Sequence, residues 1–303
     1  MLDRLKLLKF IVSRDREQAL NIKQINVHFD GEEDFYYEFM HSLSENLWSV
    51  SKTFTSLAIG MAVDEGRVDL DKNVIDYFPE FREVCTEKNA NIRVKDLLQM
   101  NSGKDDFLFR EEVANTYEDY ARIFFREEIL RAPASGFNYN NMNTYMLSRI
   151  IENVYGLTLN AFLKERLFDH LEYFNVQWQT CPNGHTLGAT GLHLRTFELA
   201  RLGILLLNEG KYDGKQLISK EYVRKMHTDL VPTDFGDEPE SKEGYGYQVW
   251  KCTVEDAFRA DGAYGQYVIV YPSRRAVITA TARNQYKAHD IVRLANDIVL
   301  GNY

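Results

Sequence analysis

Helical patterns fill the middle of the chain, and strand patterns lie on both sides of them. Before this region, IKQINVHFD and FYYEFM are typical of strands, and after it so are YGYQVWKCTV, AFRADGA, QYVIVYP and RAVITATAR. Between about residues 61 and 185, segments such as NTYMLSRIIENVYG repeat apolar residues at helical spacing. This order predicts an α+β fold, in which an antiparallel β-sheet is flanked by helices and an all-helical lobe is inserted between the strands.

Both ends of the chain are predicted to contribute helices to one domain. MLDRLKLLKFIVSRDREQAL is amphipathic, and HDIVRLANDIVL closes the chain as a helix. The apolar stripe of the first helix is predicted to contain Leu2, Leu5, Leu8 and Val12. We interpret residues 1–303 as a single domain, with an α/β lobe of about residues 1–60 and 186–303 and a helical lobe of about residues 61–185.

The composition is typical of a globular protein with an acidic balance of charge. Of the 303 residues, 45% are apolar, and the formal net charge is −9. Because the lysines and arginines are scattered, we expect neither nucleic acid nor an anionic membrane as a partner. No apolar run reaches the length of a transmembrane helix, and the N-terminus lacks the uninterrupted apolar segment of a secretory signal. These features predict a cytoplasmic protein.

The cysteines and histidines do not indicate a metal centre. Cys85, Cys181 and Cys252 are odd in number and far apart, so we expect reduced thiols. The seven histidines are dispersed, and the chain has neither an H-E-x-x-H segment nor a Cys/His cluster. We therefore predict no metal, and the lack of a phosphate-binding glycine loop argues against nucleotide chemistry.

The segment Ser49-Val50-Ser51-Lys52 places a hydroxyl and an amine at the start of an apolar helix. A serine becomes a good nucleophile when a base takes its proton, and a lysine three residues later lies on the same helix face. Free N–H groups at a helix start also favour developing negative charge. The segment is therefore either a nucleophile with its base or an ordinary amphipathic helix with a serine cap. The apolar positions of this helix are Phe54, Leu57, Ala58, Met61 and Ala62.

Tyr139-Asn140-Asn141 opens a second apolar helix. A phenol at this place relays a proton if a nearby ammonium lowers its pKa, and the amide two residues on is suited to hold Lys52 or a substrate carbonyl. The alternatives are a half-buried aromatic side chain for Tyr139 and a helix N-cap for Asn141. The same Y-x-N spacing recurs at Tyr173, which we attribute to chance.

Several segments together resemble the serine β-lactamase and penicillin-binding-protein-like family, in particular its branch of class C β-lactamases, esterases and D-aminopeptidases. LWSVSKTFTSLAIGMAVDEGRVDLDKNVIDYFPEF resembles the nucleophile helix of that branch, and FNYNNMNTYMLSRIIENVYG resembles its tyrosine motif. VKDLLQMNSG, TGLHLRTFELARLGILLLNEGKYDGKQLISKEYV, GYGYQVW and DGAYGQYVIVYP also resemble segments of the family. The resemblance covers about residues 45–285, with the segments in the family's order.

This resemblance implies a role for four side chains in the first two motifs. It implies that Ser49 is the acylated nucleophile and that Lys52 is its base or proton relay. Tyr139 would share the acid–base work with Lys52, and Asn141 would orient the lysine and the substrate amide.

The third motif departs from the family pattern. The family has a basic or imidazole residue, a small residue and a glycine on an edge strand, whereas this chain has Ala260-Asp261-Gly262. The resemblance implies that Gly262 lets the strand approach the substrate and that the N–H of Ala263 joins that of the nucleophile in an oxyanion hole. The cation is missing, and Arg259 is expected to point to the opposite strand face from its neighbour. Asp261 would repel anions if it faced the cleft.

We therefore expect a serine hydrolase that works through an acyl-enzyme, without a cofactor, on a small-molecule ester, amide or β-lactam. Without the cation, an esterase or amidase for uncharged or small acyl groups is expected over an efficient β-lactamase. The alternative is a binding or sensor module of the penicillin-binding-protein type that holds its acyl group without turnover. The physiological substrate, the oligomeric state and the choice between Lys52 and Tyr139 as principal base stay open.

Overall fold

The computed structural model describes residues 2–41, 44–114 and 116–303. The helices in these ranges are α1 (Arg4–Gln18), α2 (Ser51–Asp64), α3 (Val94–Leu98), α4 (Glu111–Ala114), α5 (Tyr120–Arg126), α6 (Asn141–Tyr155), α7 (Leu159–Leu163), α8 (Thr196–Leu207), α9 (Lys220–Thr228) and α10 (His289–Leu300). The strands are β1 (Ile22–Phe29), β2 (Phe35–Glu38), β3 (Glu45–Asn46), β4 (Gln177–Trp178), β5 (Leu192–Leu194), β6 (Lys211–Tyr212), β7 (Lys215–Gln216), β8 (Trp250–Lys251), β9 (Phe258–Gly262), β10 (Gln266–Tyr271) and β11 (Ala276–Ala282).

A six-stranded antiparallel sheet has the strand order β2-β1-β11-β10-β9-β8. In its centre, β1 pairs with β11 from Ile22 opposite Ala282 to Phe29 opposite Ala276, so the two ends of the chain meet in one sheet. Between these strands in sequence lie α2 to α7, which form the helical part of the molecule. The predicted α+β fold is thus confirmed.

Both faces of this sheet are covered, which explains why its strands are apolar throughout. Along β10, Val268 and Val270 belong to the core that contains α2, α6 and α8. Tyr267 and Ile269 belong to a second core on the opposite face, formed with α1 and α10. Because successive residues of a strand point to opposite faces, the run QYVIVY supplies side chains to both cores.

Helix α2 lies at the junction between the sheet and the helical part and is buried on every side. The predicted apolar stripe is buried, and so are the polar side chains of its other faces, including Lys52, Thr53 and Ser56. These polar groups have partners: Thr53 donates to the Gln248 carbonyl oxygen, and Ser56 lies 3.2 Å from the Tyr222 hydroxyl. Of the two alternatives for this segment, the ordinary amphipathic helix with a serine cap does not fit, because α2 is buried on its polar faces too and has no side-chain cap.

The helix in TYEDYARIFFREEILRA is shorter than its apolar spacing predicts. The Asp119 side chain caps its start by accepting from the Ala121 N–H at 2.8 Å, and the extended backbone of Glu127 ends it at Arg126. The same carboxylate pairs with Arg149 of α6 at 2.7 Å. Asp119 therefore begins α5 and anchors it to α6.

Two other local predictions differ from the structure. In α1, Leu7 and Ile11 are buried against α10, whereas Leu5 is exposed, so the predicted stripe was wrong at Leu5. In YGYQVWKCTV, β8 contains only two residues, because Gln248 has a positive φ of 63°. Its amide donates to the carbonyl of Leu98 instead of continuing the strand pattern.

Three further observations concern membranes, metals and thiols within the described part of the chain. No helix there is both long and apolar enough to cross a bilayer. No three histidine, cysteine, aspartate or glutamate side chains lie together in a way that could hold a metal ion. The three cysteines form no disulfide with one another.

Candidate active site

Ser49 lies in a tight turn that leads directly into α2. The turn, Trp48–Val50, is a single 3₁₀ turn, and its entry at Trp48 has a positive φ of 48°. The Trp48 N–H donates to the Asn46 side chain at 2.9 Å, and the buried side chains of Leu47 and Val50 anchor both ends. Ser49 is therefore held at a partly exposed position, one turn before Lys52.

The Lys52 amine has three oxygen neighbours and almost no exposure to solvent. Its Nζ lies 2.9 Å from Ser49 Oγ, 2.6 Å from Asn141 Oδ1 and 2.9 Å from the Ala189 carbonyl oxygen. The side chain is 1% exposed. The turn Trp48–Val50, which we call the nucleophile turn, α6 and the segment before β5 thus each bring an oxygen atom to the Lys52 nitrogen. Ser49, Lys52 and Asn141 lie close together, as the sequence predicted.

These three contacts fit a neutral amine. The Asn141 amide oxygen and the Ala189 carbonyl only accept hydrogen bonds, so they take both N–H bonds of an NH₂ group. The lone pair then faces Ser49, whose hydroxyl is able to donate. Burial lowers the pKa of Lys52 to about 7, because the charged form is poorly solvated there, although the Asp106 carboxylate acts in the opposite direction.

Tyr139 lies over Lys52 and forms part of an aromatic wall. The Lys52 Nζ is 5.0 Å from the centroid of the Tyr139 ring, and the ring stacks on Trp250 with centroids 5.9 Å apart. We use the name aromatic wall for the cluster Phe137, Tyr139, Phe235, Tyr245 and Trp250. Through Tyr139, this wall reaches the surroundings of Lys52.

The pKa of Tyr139 is raised above its usual value, mainly because the ring is shielded from water. A side-chain hydrogen bond with Ser49 counteracts part of this rise, while the charges of Asp261 and Asp106 add to it. The condition that a nearby ammonium lowers this pKa is therefore not met. The raised pKa favours the protonated phenol of Tyr139, beside Ser49.

Asn141 is the first residue of α6, and its neighbour caps the helix. The Asn140 side chain accepts from the Asn143 N–H at 3.0 Å, so the N-cap predicted as an alternative for Asn141 belongs to Asn140. The Asn141 side chain is instead free to bridge two groups. Its oxygen faces Lys52, and its Nδ2 donates to Asp106 Oδ2 at 2.7 Å.

The end of β9 packs against the nucleophile turn. A Cβ on Gly262 would lie 2.4 Å from the Leu47 carbonyl oxygen, so glycine is required by this close approach. Ala263 follows the last ladder pair, Gly262 with Gln266, which leaves its N–H outside the ladder. Ala263 is exposed, and β9 brings it to the same edge of the molecule as Ser49.

The third motif offers no free cation. Ala260 is buried on the face of β9 that joins the core around α2. Arg259 and Asp261 lie on the other face, where Arg259 Nε is 3.0 Å from Asp261 Oδ2. Arg259 is fully buried and also donates to the Glu240 carbonyl oxygen at 3.0 Å. Arg259 therefore compensates the charge of Asp261 inside the protein and does not replace the missing surface cation.

Three further groups at this site carry no signal in the sequence. Asp106, the Ala189 carbonyl and Trp250 all contact the predicted residues, yet none belongs to a spacing pattern with them. Asp106 follows the segment LLQMNSG, which placed it near the helical lobe but carried no hint of contact with Asn141.

A profile of the β-lactamase family matches residues 46–301. The chain is a member of the β-lactamase family. It has the fold of the serine β-lactamase and penicillin-binding-protein-like hydrolases, a family of serine hydrolases that act on amides and esters. The ordered segments noted in the sequence thus identified the family correctly.

Curated relatives and solved structures of this β-lactamase-family member are distant. Protein flp of Staphylococcus aureus (strain MRSA252) is 34% identical over 48% of this chain, and the match covers only 30% of flp. A 6-aminohexanoate-dimer hydrolase of Paenarthrobacter ureafaciens is 25% identical over 77% of this chain and 64% of its own length. A penicillin-binding protein homologue of Pyrococcus abyssi superposes with a TM-score of 0.76 at 20% identity, over 99% of this chain and 78% of that structure. The structural likeness shows the shared fold.

Proposed function

We propose that the protein is a serine hydrolase that forms an acyl-enzyme on Ser49 and acts on esters or amides with uncharged or small acyl groups. The observation that carries this proposal is the contact set of Lys52. Two acceptor-only oxygens take its N–H bonds at 2.6 and 2.9 Å, and the remaining neighbour is the Ser49 hydroxyl at 2.9 Å. A base is useful near neutral pH when its pKa is close to 7, as that of Lys52 is.

In the acylation step, Ser49 Oγ attacks the substrate carbonyl carbon while its proton passes to the neutral Lys52 amine. The N–H groups of Ser49 and Ala263 stabilise the negative oxygen of the tetrahedral intermediate. The bond from the carbonyl carbon to the leaving oxygen or nitrogen then breaks, and the leaving group takes a proton. Tyr139 supplies that proton through its hydroxyl and recovers one from Lys52.

In the deacylation step, water attacks the ester on Ser49 and releases a carboxylic acid. Lys52 accepts the proton of the water, and Ser49 Oγ regains a proton as it leaves. The sum is the addition of one water to an ester or amide, and it requires neither a metal nor a redox partner. Because the pKa of Tyr139 is raised, Lys52 is the base and Tyr139 the donor in both steps.

The charge of the site favours esters and amides over penicillin-type substrates. A β-lactam antibiotic carries a carboxylate that needs a cation, and Ala260 stands where the family has one. Arg259 is fully buried and paired with Asp261, so it does not supply that charge. Amide hydrolysis is also suggested by the name of the 6-aminohexanoate-dimer hydrolase, although that name describes another protein.

The test is a comparison of p-nitrophenyl butyrate with nitrocefin, followed by stopped flow and intact mass spectrometry. We expect a burst of nitrophenol, then steady turnover, and an acyl adduct on Ser49 that is absent in Ser49→Ala. Ser51→Ala is the matched control, because Ser51 is buried in the same segment and its hydroxyl oxygen accepts from the Leu192 N–H at 3.3 Å.

The outcomes separate the candidate functions. Nitrocefin turnover well above ester turnover would contradict the proposed substrate preference. A stoichiometric burst without steady release would instead support the acyl-binding or sensor module. Unchanged turnover in Ser49→Ala would exclude Ser49 as the nucleophile.

A further inference from the structure

Asp106 lies on the far side of Asn141 from Lys52. Its Oδ2 accepts from Asn141 Nδ2 at 2.7 Å, and its Oδ1 has a long contact of 3.4 Å with the Leu108 N–H. The side chain is partly exposed. Among the described residues, no arginine or lysine forms an ion pair with it, so its charge acts mainly on the groups of the site.

A carboxylate at this place determines which end of the Asn141 amide faces Lys52. An ionised carboxylate only accepts hydrogen bonds, so the NH₂ end of Asn141 must face Asp106. The oxygen end then faces Lys52 at 2.6 Å. With the amide reversed, its NH₂ group would donate to the lone pair of the neutral Lys52 amine and compete with the Ser49 hydroxyl.

We propose that Asp106 is a positioning residue, which holds the Asn141 carbonyl towards Lys52 and thereby reserves the lone pair of the amine for Ser49. This inference rests on the proposed role of Lys52 as the base. Asp106 contacts neither Ser49 nor the reacting atoms, and it acts through Asn141.

The charge of Asp106 has a second effect on Lys52, which gives the proposal a distinctive signature. The groups that face the amine are the Ser49 hydroxyl, the Asn141 oxygen, the Ala189 carbonyl and the ring of Tyr139, all of them uncharged. Asp106 is the charged group that raises the pKa of Lys52 against the effect of burial. Removing that charge should lower the pKa of Lys52 further. The amine would then be a weaker base and would stay neutral down to a lower pH.

The variants are Asp106→Asn, Asp106→Ala and Asp106→Glu, with Asp105→Asn as the matched control. Asp105 is the adjacent carboxylate in the chain, but it is exposed and pairs with Arg110. We expect the plateau of kcat to fall roughly tenfold or more in Asp106→Asn and Asp106→Ala, since a hydrogen bond to a charged group is lost. Asp106→Glu should recover part of the activity, and Asp105→Asn should match the parent.

The pH profile separates positioning from a merely structural role. In Asp106→Asn the rising limb of kcat/KM should move to lower pH by on the order of one unit, because neutral Lys52 persists in more acidic solution. Asp106→Glu should keep the parent's limb. A uniform loss of activity at every pH, without a shift of the limb, would overturn the inference.

A second measurement is independent of turnover. In protein labelled with ¹³C-lysine, the Lys52 Cε resonance is assigned by its loss in Lys52→Met and is then titrated. We expect its pKa to fall in Asp106→Asn and to stay unchanged in Asp105→Asn. An unaltered titration in Asp106→Asn would refute the inference, whereas a parent protein without ester or amide turnover would refute only the proposed function.

Discussion

At the scale of single residues, the site depends on a lysine and a tyrosine that are shielded from water together. The pKa of Lys52 is lowered, whereas the pKa of Tyr139 is raised. Shielding from water disfavours the ammonium of Lys52 and the phenolate of Tyr139 alike. It therefore leaves a neutral amine next to a neutral phenol at pH values above about 7. A proton acceptor and a proton donor are obtained side by side, without any ion pair between them.

The hydroxyl of Tyr139 is testable without disturbing the aromatic wall. In Tyr139→Phe the ring keeps its stacking partner Trp250, but the proton donor is gone. We expect kcat to fall by roughly 10² to 10⁴ with little change in KM, because general acid–base catalysis contributes about that much. Steady-state kinetics on an ester and an anilide, with the unfolding temperature measured in parallel, checks this.

Tyr173→Phe is the control for that experiment. Tyr173 begins the second Y-x-N triplet, and its ring lies in the core against Phe54 and Phe168. We expect parent-like kinetics from this variant. If Tyr139→Phe also kept activity within about threefold of the parent, the assignment of Tyr139 as proton donor would be wrong.

Residue patterns predicted the meeting of Ser49, Lys52 and Asn141 because each belongs to a motif of fixed spacing at a helix start. Asp106 has no such relation to Asn141, since it lies 35 residues away in the loop between α3 and α4. The pKa of Tyr139 was also out of reach, because it depends on how much water the surrounding rings exclude. Local spacing thus predicted the contacts among the motif residues. The contact of Asp106 and the pKa of Tyr139 depend on tertiary packing, which the spacing does not encode.

At the scale of elements, β9 can pack closely against the nucleophile turn because Gly262 has no side chain. In Gly262→Ala the new Cβ would lie 2.4 Å from the Leu47 carbonyl oxygen, so β9 and the turn must move apart. We expect kcat/KM to fall by roughly tenfold to a hundredfold, as small displacements of catalytic groups are costly. Kinetics and the rate of Ser49 acylation measure the effect.

Gly203→Ala serves as the comparison for this element. Its Cβ would approach a Val277 methyl carbon to 2.3 Å, where α8 packs on the sheet away from Ser49. We expect it to lower the free energy of unfolding by about 1–3 kcal/mol while kcat is kept. Equal losses of kcat in both variants would argue that Gly262 has a general packing role.

Whether the bounds of a helix or strand could be predicted depends on which interaction begins or ends it. α6 was expected from the apolar spacing of NTYMLSRIIENVYG, and both α6 and α9 begin at polar caps, Asn140 and Ser219. α5 is much shorter than its apolar pattern, because Asp119 caps its start at Tyr120 and the backbone becomes extended at Glu127. β8 is short because Gln248 takes a left-handed conformation to bond with α3, a tertiary requirement that strand spacing does not encode.

At the scale of the whole molecule, two buried lysines make stability depend on pH. Burial lowers the pKa of both Lys52 and Lys104 to about 7, whereas the same groups in an unfolded chain titrate near 10.5. Between those values the unfolded state binds protons that the folded state lacks. Raising the pH through this window therefore stabilises the fold, by up to about 1.4 kcal/mol per pH unit for each lysine.

Urea unfolding at pH 7 and pH 9 tests this linkage. We expect the parent to be more stable at pH 9 and Lys104→Met to lose part of that increase. The Lys104 amine lies over the ring of Phe124 and is not among the contacts of Ser49 and Lys52, so we expect Lys104→Met to keep its activity. The exposed Lys88 provides Lys88→Met as a control with the parent's pH dependence. An identical increase in Lys104→Met and the parent would contradict the expectation.

The positions of the tryptophans have a practical consequence. The chain has three, and two of them border the nucleophile: Trp48 precedes Ser49, and Trp250 stacks on Tyr139. Indole emission responds to nearby polarity and to quenching groups, so an occupant on the serine should alter the intrinsic fluorescence. Compounds that carry no chromophore could then be screened by the change that they cause in the tryptophan fluorescence of the protein. Such a screen does not require the natural acyl group to be known in advance.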